Sequence, residues 1–349
     1  MAKAEVGHRV CVTGAGGFVG SWVVKELLHR GYVVRGTARD PSAQKYPHLQ
    51  TLEGAAERLS LCYANVMDYN SLLVAFDGCD GVFHVASPVS NDPQFVPVAV
   101  EGTKNVINAA ADVGARRVVF TSSYGAVHMD PNRSLDTVMD ESCWSNLNFC
   151  KRKGINKLVI PEMLSDSTVS FTSACDWYSY GKMVAEITAV EQASKRGIHL
   201  LVVVPPVTTG QMLQPTTNLS SHHFIHYLNG TKKDFPNAVA AYVDVRDVAR
   251  AHALVYENPE ANGRYLCVGA VLHRSELLRL LRELFPQYPI PTKCDNKSRP
   301  LIKPYKFSNK RLRDMGLKFT PIKESLYNMI LSLQEKGDLP TTVVPRASL

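Results

Sequence analysis

The amino-acid sequence predicts an α/β protein: a doubly wound parallel sheet with a smaller C-terminal lobe. Three observations carry that expectation. Short apolar, β-rich runs alternate with amphipathic helical patterns as far as residue 204, the first run passes directly into a glycine-rich turn and a helix, and beyond residue 204 the alternation loosens. Strands that are apolar throughout and separated by helices belong to sheets covered on both faces.

The runs at 9–13, 33–37, 81–86, 117–122 and 199–204 read as strands, with helices at 18–30, 97–113 and 177–196 between them. Asp176 stands just before the last of these helices, where an aspartate satisfies free N–H groups, and Gly197 just after it, where glycine ends a helix. Pro205, Pro206, Pro215 and the polar stretch 216–221 then mark a crossing out of the sheet. Further on come a helix at 218–228, a strand at 241–243, helices at 245–257 and 274–285, a proline-rich stretch from 286 to 304 and a terminal helix at 321–334. The expected division is a nucleotide-binding domain over 1–204, with an extra segment at about 151–174, and a lobe over 205–337. The lobe closes over the carboxyl edge of the sheet, where ligands of such sheets bind, and part of it returns to the sheet. Residues 338–349 read as a loose tail.

Composition narrows the function classes. With 45% hydrophobic and 20% charged residues in 349, the balance is that of an ordinary globular protein. The net charge of +7 is modest, and the one tight basic cluster, Lys151-Arg152-Lys153, reads as a solvated loop. Without an interleaved aromatic and basic stripe, no nucleic-acid partner is expected. The eight cysteines show no C-x-x-C pair and no metal-like spacing against histidine, and Cys11, Cys62 and Cys267 lie in apolar runs as small core residues. No apolar run approaches the roughly 20 residues of a membrane span, so no membrane partner is expected. A strand pattern begins within the first ten residues, leaving no signal peptide, and a reducing cytoplasm with Cys150 and Cys175 as free thiols is the expected setting. A monomer and a homodimer fit equally well.

The strongest local signal is V-C-V-T-G-A-G-G-F-V-G over 10–20, a strand running into Gly14-x-x-Gly17-x-x-Gly20 and then a helix. Gly14 permits the tight turn, Gly17 lets the backbone approach a pyrophosphate and Gly20 lets the helix pack on the strand. Free N–H groups at the helix start then face the phosphates. This is the nucleotide-binding pattern of a Rossmann domain. At the end of the second strand the chain reads R-G-T-A-R-D over 35–40, with Lys45 beyond. Asp40 can take the acidic role that NAD ribose hydroxyls need, whereas Arg39 can stack on adenine and grip a 2′-phosphate; the arginine favours NADPH.

A strand ending in Thr121-Ser122-Ser123 and a later Tyr178-x-x-x-Lys182 supply candidate chemistry. The i,i+4 spacing puts phenol and ammonium on one helix face. A phenol is a poor acid at neutral pH, and a nearby ammonium lowers its pKa. Ser123 can hydrogen-bond a substrate oxygen and stabilise charge developing there. The set is that of an oxidoreductase transferring hydride to a carbonyl.

In this chain order the motifs resemble the extended short-chain dehydrogenase/reductases, and within them cinnamoyl-CoA reductase and its relatives, which include dihydroflavonol reductase. The segments 14–20, 36–41, 120–123 with Gly125, 129–133, 245–249 and 263–267 carry the likeness over nearly the whole chain. The resemblance implies Ser123, Tyr178 and Lys182 as the catalytic triad, NADPH as cofactor and a hydroxycinnamoyl-CoA thioester as substrate, reduced to an aldehyde in phenylpropanoid or lignin metabolism. The candidate cofactor contacts are Thr13, Gly14, Gly16, Gly17, Phe18, Val19, Arg39, Lys45, Asn65, Val66, Val85, Ala86, Ser87, Tyr178, Lys182, Pro206 and Val207. On the substrate side they are Ser123, Tyr124, His128, His223, His226 and Arg274, with Val207 and Phe224 as further pocket candidates.

The chain departs from the family's pattern in four places. The family's N-W-Y-C-Y-G-K stands here with Asp176 for Asn and Ser179 for Cys. Its CoA-binding His-x-x-Lys with a later Arg appears as His223-x-x-His226 with Arg274, and histidine is mostly neutral near pH 7. Asn65 replaces an Asp beside the adenine. Between Cys150 and Asp176 lie roughly twenty additional residues, a length a surface loop accommodates at little entropic cost. Three readings follow: a thioester reductase; a related reductase of free aldehydes or dihydroflavonol-type ketones, favoured by His226 and Ser179; and a nucleotide-binding protein in which the extra segment displaces Tyr178.

Overall fold

Residues 10–12, 82–83, 118–119 and 201–203 are almost wholly excluded from solvent, and their alternating side chains explain why the sheet must be covered twice. Val10, Val12, Phe83, Val119 and Val203 face one apolar cluster; Cys11, Val82, Val118, Phe120 and Val202 face another. The computed structural model describes residues 8–134, 136–155, 176–295 and 300–341.

In chain order the first half comprises β1 (Arg9–Thr13), α1 (Phe18–His29), β2 (Val33–Ala38), α2 (Pro47–Gln50), α3 (Ala55–Arg58), β3 (Leu59–Tyr63), α4 (Tyr69–Phe76), β4 (Gly81–His84), α5 (Phe95–Asp112), β5 (Arg117–Thr121), α6 (Leu147–Ile155), α7 (Asp176–Arg196) and β6 (His199–Val204). The second half continues with β7 (Val207–Thr209), α8 (Leu219–Leu228), β8 (Asp234–Phe235), β9 (Val239–Asp244), α9 (Val245–Glu257), β10 (Gly263–Leu266), β11 (Ala270–His273), α10 (Arg274–Leu284), β12 (Lys293–Cys294), α11 (Lys310–Asp314) and α12 (Ile322–Glu335). Seven strands form one sheet in the order β3-β2-β1-β4-β5-β6-β10, every neighbouring pair parallel. The chain order reverses between β1 and β4, and there the strand ends open a crevice for a ligand. Helices α1 and α9 cover one face, and α4, α5 and α7 the other.

The five expected strands are present, with β4 ending at His84 and β5 at Thr121 rather than two and one residues later. Strand β3 and helix α4 were not expected. β3 is an edge strand whose side chains are mostly half-exposed, so it lacks the continuous apolar run of the inner strands. Two local readings are corrected. The basic cluster at 151–153 continues helix α6 rather than forming a loop, and Asp176 is the first helical residue of α7, which puts the capping position on residue 175, outside the described residues. Most of the extra segment, residues 156–175, also lies outside them. Gly197 ends α7 with φ of +67°, as expected. Among the described residues Cys11, Cys62, Cys79, Cys143, Cys267 and Cys294 are free thiols, and Cys11, Cys150 and Cys267 are buried; Cys175 lies outside. No described helix is long and apolar enough to cross a membrane.

Beyond β6 a three-stranded sheet, β11-β9-β7, packs with α8, α10 and α12 around Phe224, Tyr227, Tyr242, Leu277 and Leu326. This region is tied to the main sheet through β10, which pairs with β6, and through α9. Asp247 on α9 accepts from the backbone N–H of Thr320 at 2.7 Å, from its hydroxyl at 3.0 Å and from Arg250 at 3.0 Å, fixing the chain just before α12. Burial pushes this carboxyl up to about 6. Asp247→Ala leaves the Thr320 N–H without its acceptor and is expected to lower the unfolding free energy by about 1–3 kcal/mol, read from urea denaturation.

Candidate active site

The glycine turn is built by close approach. A Cβ on Gly20 would lie 2.1 Å from the Gly14 carbonyl oxygen, and Gly14, with φ of +67°, brings its Cα to where a Cβ would lie 3.0 Å from Ala86. Gly17 caps α1 without a side chain; a Cβ there would meet nothing nearer than the Gly14 oxygen at 3.4 Å. Backbone N–H groups of the first helical turn therefore face the crevice, as a pyrophosphate requires. Gly16 lies under Tyr46, whose ring a Cβ would strike at 2.1 Å.

A buried relay ties this turn to β4. The Thr13 hydroxyl oxygen accepts from the N–H groups of Val85 and Ala86, both at 3.1 Å, so its own hydrogen goes to His84 Nδ1 at 2.9 Å. His84 Nε2 then donates to the Thr103 hydroxyl at 3.4 Å, which donates to the Ala99 carbonyl at 2.7 Å. Burial, reinforced by the Lys182 charge, drives His84 down to about 3 and keeps it neutral.

Asn65 and Val66 follow β3, Ser87 lies just past the end of β4, and Pro206 and Val207 follow β6, so the expected cofactor contacts gather along the carboxyl edge. Asn65 accepts from Met67 N–H at 3.1 Å, and the Val66 carbonyl accepts from Asn105 at 3.0 Å. Past β2, Asp40 pairs with Lys45 at 2.5 Å, and that hydrogen bond holds its carboxyl down to about 2. Arg39 is exposed and, among the described residues, has no carboxylate partner. The acidic alternative is thus neutralised, and the surplus charge is positive.

Ser123 follows β5 and accepts from Gly125 N–H at 3.2 Å. Tyr178 and Lys182 sit one turn apart on α7 and line a shallow cleft with Pro88, Ser90, Phe95 and Val96. Lys182 is only 3% exposed; its Nζ donates to the Thr121 carbonyl at 2.6 Å and lies 5.1 Å from the centroid of the Phe120 ring. Burial, partly offset by Glu186, brings the ammonium down to about 8. Helix α7 brings Tyr178 and Lys182 to the lining of the same cleft. Ser179 is buried against Gly125, where a Cβ would come within 2.7 Å of its hydroxyl oxygen. The serine packs against the turn that follows Ser123.

Two functional neighbours escaped the sequence reading. Glu186 is 0% exposed, accepts from the Ser122 hydroxyl at 2.5 Å and pairs with Arg264 at 2.6 Å. Arg264 donates to the carbonyls of Glu141 at 2.8 Å and Cys143 at 2.7 Å and stacks over Trp144. The i,i+4,i+8 spacing of Tyr178, Lys182 and Glu186 was the available signal. Tyr305 is the other neighbour, and nothing in its proline-rich surroundings marks it.

Tyr124 stacks on His128 (centroids 5.2 Å apart) and on Tyr305 (6.0 Å). After burial itself, Tyr124 and Tyr242 both push the Tyr305 phenol up, so both phenols lie near it. Tyr242 pairs with Val207 across β9 and β7 and accepts from Arg274 at 2.8 Å. An aromatic path thus runs from Ser123 to Arg274. Arg274 also contacts the His223 ring nitrogen, is 7% exposed and has no carboxylate partner among the described residues. His226 is exposed one turn along α8 and lies near enough to His223 to act on its charge. Phe224, expected in the pocket, is instead fully buried in the core around Tyr242, since its side of α8 faces the sheet. In the 129–133 motif, Arg133 donates to the carbonyls of Val127 and Trp144, so the motif is scaffold.

Sheet order, glycine cradle and the Tyr–Lys pair define an NAD(P)-dependent oxidoreductase of short-chain dehydrogenase/reductase architecture. Residues 10–143 match the NAD dependent epimerase/dehydratase family. Cinnamoyl-CoA reductase 1 of Oryza sativa subsp. japonica is 64% identical over 95% of this chain and 92% of that protein. Cinnamoyl-CoA reductase 1 of Petunia hybrida is 55% identical over 97% and 96%. Among solved structures, vestitone reductase from alfalfa superposes with a TM-score of 0.76 at 30% identity, covering 95% of this chain and 99% of that one. The chain belongs to the cinnamoyl-CoA reductase family.

Glu186→Gln removes the charge that helps keep Lys182 protonated. Activity that needs the ammonium is lost as pH rises through about 8, and in this variant the alkaline limb of the pH–rate profile is expected at lower pH. A limb that stays in place would dissociate Glu186 from Lys182. Arg39→Ala is expected to raise KM for NADPH about tenfold, the lower end of a charge-assisted contact at an exposed site, with little change for NADH.

Proposed function

We propose that the protein reduces hydroxycinnamoyl-CoA thioesters to hydroxycinnamaldehydes with NADPH. The observation that carries this reading is Arg274, a buried guanidinium with no carboxylate partner among the described residues, at the far end of an aromatic path from Ser123. A ligand with an aromatic acyl end and a phosphate arm answers both features. The glycine cradle and Arg39 suit NADPH, and the free thiols suit a reducing cytoplasm. The relatives named cinnamoyl-CoA reductase support the same substrate class.

NADPH, when bound, supplies the hydride for the thioester carbonyl carbon. Tyr178 donates its proton to the oxygen that takes up the negative charge, and Ser123 hydrogen-bonds that oxygen. Lys182 stands on the same helix face as the phenol and is itself held in place by the Thr121 carbonyl. The thiohemiacetal then collapses: the C–S bond breaks, CoA leaves as the thiol with the hydroxyl proton, and the aldehyde remains. A reductase of free aldehydes or dihydroflavonol-type ketones uses the same three residues without Arg274, and the exposed His226 is the observation that favours it.

NADPH consumption with feruloyl-CoA, p-coumaroyl-CoA and coniferaldehyde, beside NADH controls, separates the two. Thioester turnover that depends on NADPH is expected, and Tyr178→Phe is expected to lower it by about 10²–10⁴-fold. Turnover of aldehydes alone would overturn the thioester reading.

A further inference from the structure

We infer that Lys232 supplies the second cation of a phosphate-binding site centred on Arg274 and Tyr227, in place of the lysine absent at position 226. The inference rests on the thioester reading and names how this chain holds the phosphate arm.

Helix α8 ends at Leu228, and Gly230, with φ of +72°, turns the chain back along it. The Lys232 N–H donates to the His226 carbonyl at 2.9 Å, which returns a lysine to the helix end where the histidine stands. Lys232 Nζ lies 5.6 Å from the centroid of the Tyr227 ring, and the Arg274 guanidinium 5.8 Å from the same centroid. Two cations thus share one aromatic ring. Asp234 and Asp295 are felt at Tyr227, yet among the described residues neither pairs with Lys232 or Arg274.

Polar atoms at the same place lack partners. Tyr227 Oη and Arg274 Nε are both buried without a hydrogen bond, on side chains 0% and 7% exposed. Burial raises the Tyr227 phenol, so its hydroxyl is a donor at physiological pH. His223 adds no charge: burial, then Arg274 and Lys232, bring it down to about 3. Donors without acceptors and cations without anions at one place call for a multiply charged oxyanion. Arginine offers a fork and lysine a mobile point charge, a pair suited to a phosphomonoester or diphosphate group.

The test is binding of CoA and of inorganic pyrophosphate to the full chain by calorimetry, alongside steady-state kinetics with feruloyl-CoA. Lys232→Met is expected to weaken CoA binding about tenfold at low salt, with the kinetic loss in KM. Adding His226→Lys to Lys232→Met should restore most of the affinity, and Lys310→Met, an exposed lysine paired with Asp314, should bind as the parent does. CoA binding unchanged in Lys232→Met would overturn the assignment while leaving the thioester reading intact. Pyrophosphate binding that depends on Lys232 in a protein that reduces no thioester would support the site and sink that reading. A parent protein that binds neither ligand would overturn both.

Discussion

The ammonium of Lys182 lies out of water at the carboxyl edge of a parallel sheet, where its desolvation works against the charge that the chemistry needs. Three contacts make it tenable. The Thr121 carbonyl accepts its proton at 2.6 Å, the Phe120 ring lies near it, and Glu186 one turn along supplies the opposing charge. Glu186 is itself fully buried and stays there because Arg264 pairs with it. Removing one member of such a buried pair typically costs about 3–5 kcal/mol, since the other is left uncompensated. Arg264 in turn holds the carbonyls of Glu141 and Cys143, so β10 and the 141–144 loop are fastened by the same charge that serves the active site. The resulting ammonium, near 8, is mostly protonated at neutral pH yet close enough to titration to respond to its neighbours.

That buried charge adds to burial, the larger cause, in keeping His84 neutral. A second cation beside Lys182 is unfavourable, so the imidazole is neutral, and a neutral imidazole has one donor and one acceptor. Thr13, already accepting two N–H groups, must donate to it, which assigns the acceptor to Nδ1 and the donor to Nε2. The ends of β1 and β4 are thereby locked at the switch point, with Gly14 against Ala86. Thr121 shows the same economy on β5: its carbonyl takes Lys182, and its hydroxyl bonds His252, a histidine that burial lowers to about 4. Lys182 and the glycine turn thus both depend on hydrogen bonds along the carboxyl edge of the sheet.

The inner strands were legible because continuous burial writes itself as continuous apolar sequence: β1 and β6 have the expected bounds. The glycine cradle was legible because close approach admits no other residue at Gly20. Edge strand β3, with half-exposed side chains, left no such trace. Tyr178 and Lys182 could be found because their spacing is local. Arg264 and Tyr305 could not, since each reaches its neighbours across 78 and 181 residues of chain, and only the fold brings them there. Phe224 stayed a candidate for a related reason: an aromatic residue on an amphipathic helix belongs to whichever face the packing selects, and here that is the core.

Charge pairing separates what the fold needs from what a ligand needs. Arg30 is satisfied by Glu26 and Glu257, Arg246 by Asp244 and Glu324, and Arg264 by Glu186; each joins elements distant in sequence or stiffens a helix. Arg39, Arg274 and Lys232 have no carboxylate partner among the described residues, and they stand at strand and helix ends that border the crevice or the lobe beside it. A cation held partly out of water without a counter-ion lowers stability unless something compensates it. Where the protein itself supplies nothing, the compensating group comes with the ligand. Three of the cations without a carboxylate partner thus sit past the end of β2 and around Tyr227. Between them the charges of Lys182, Glu186 and Arg264 are held together in the protein's interior.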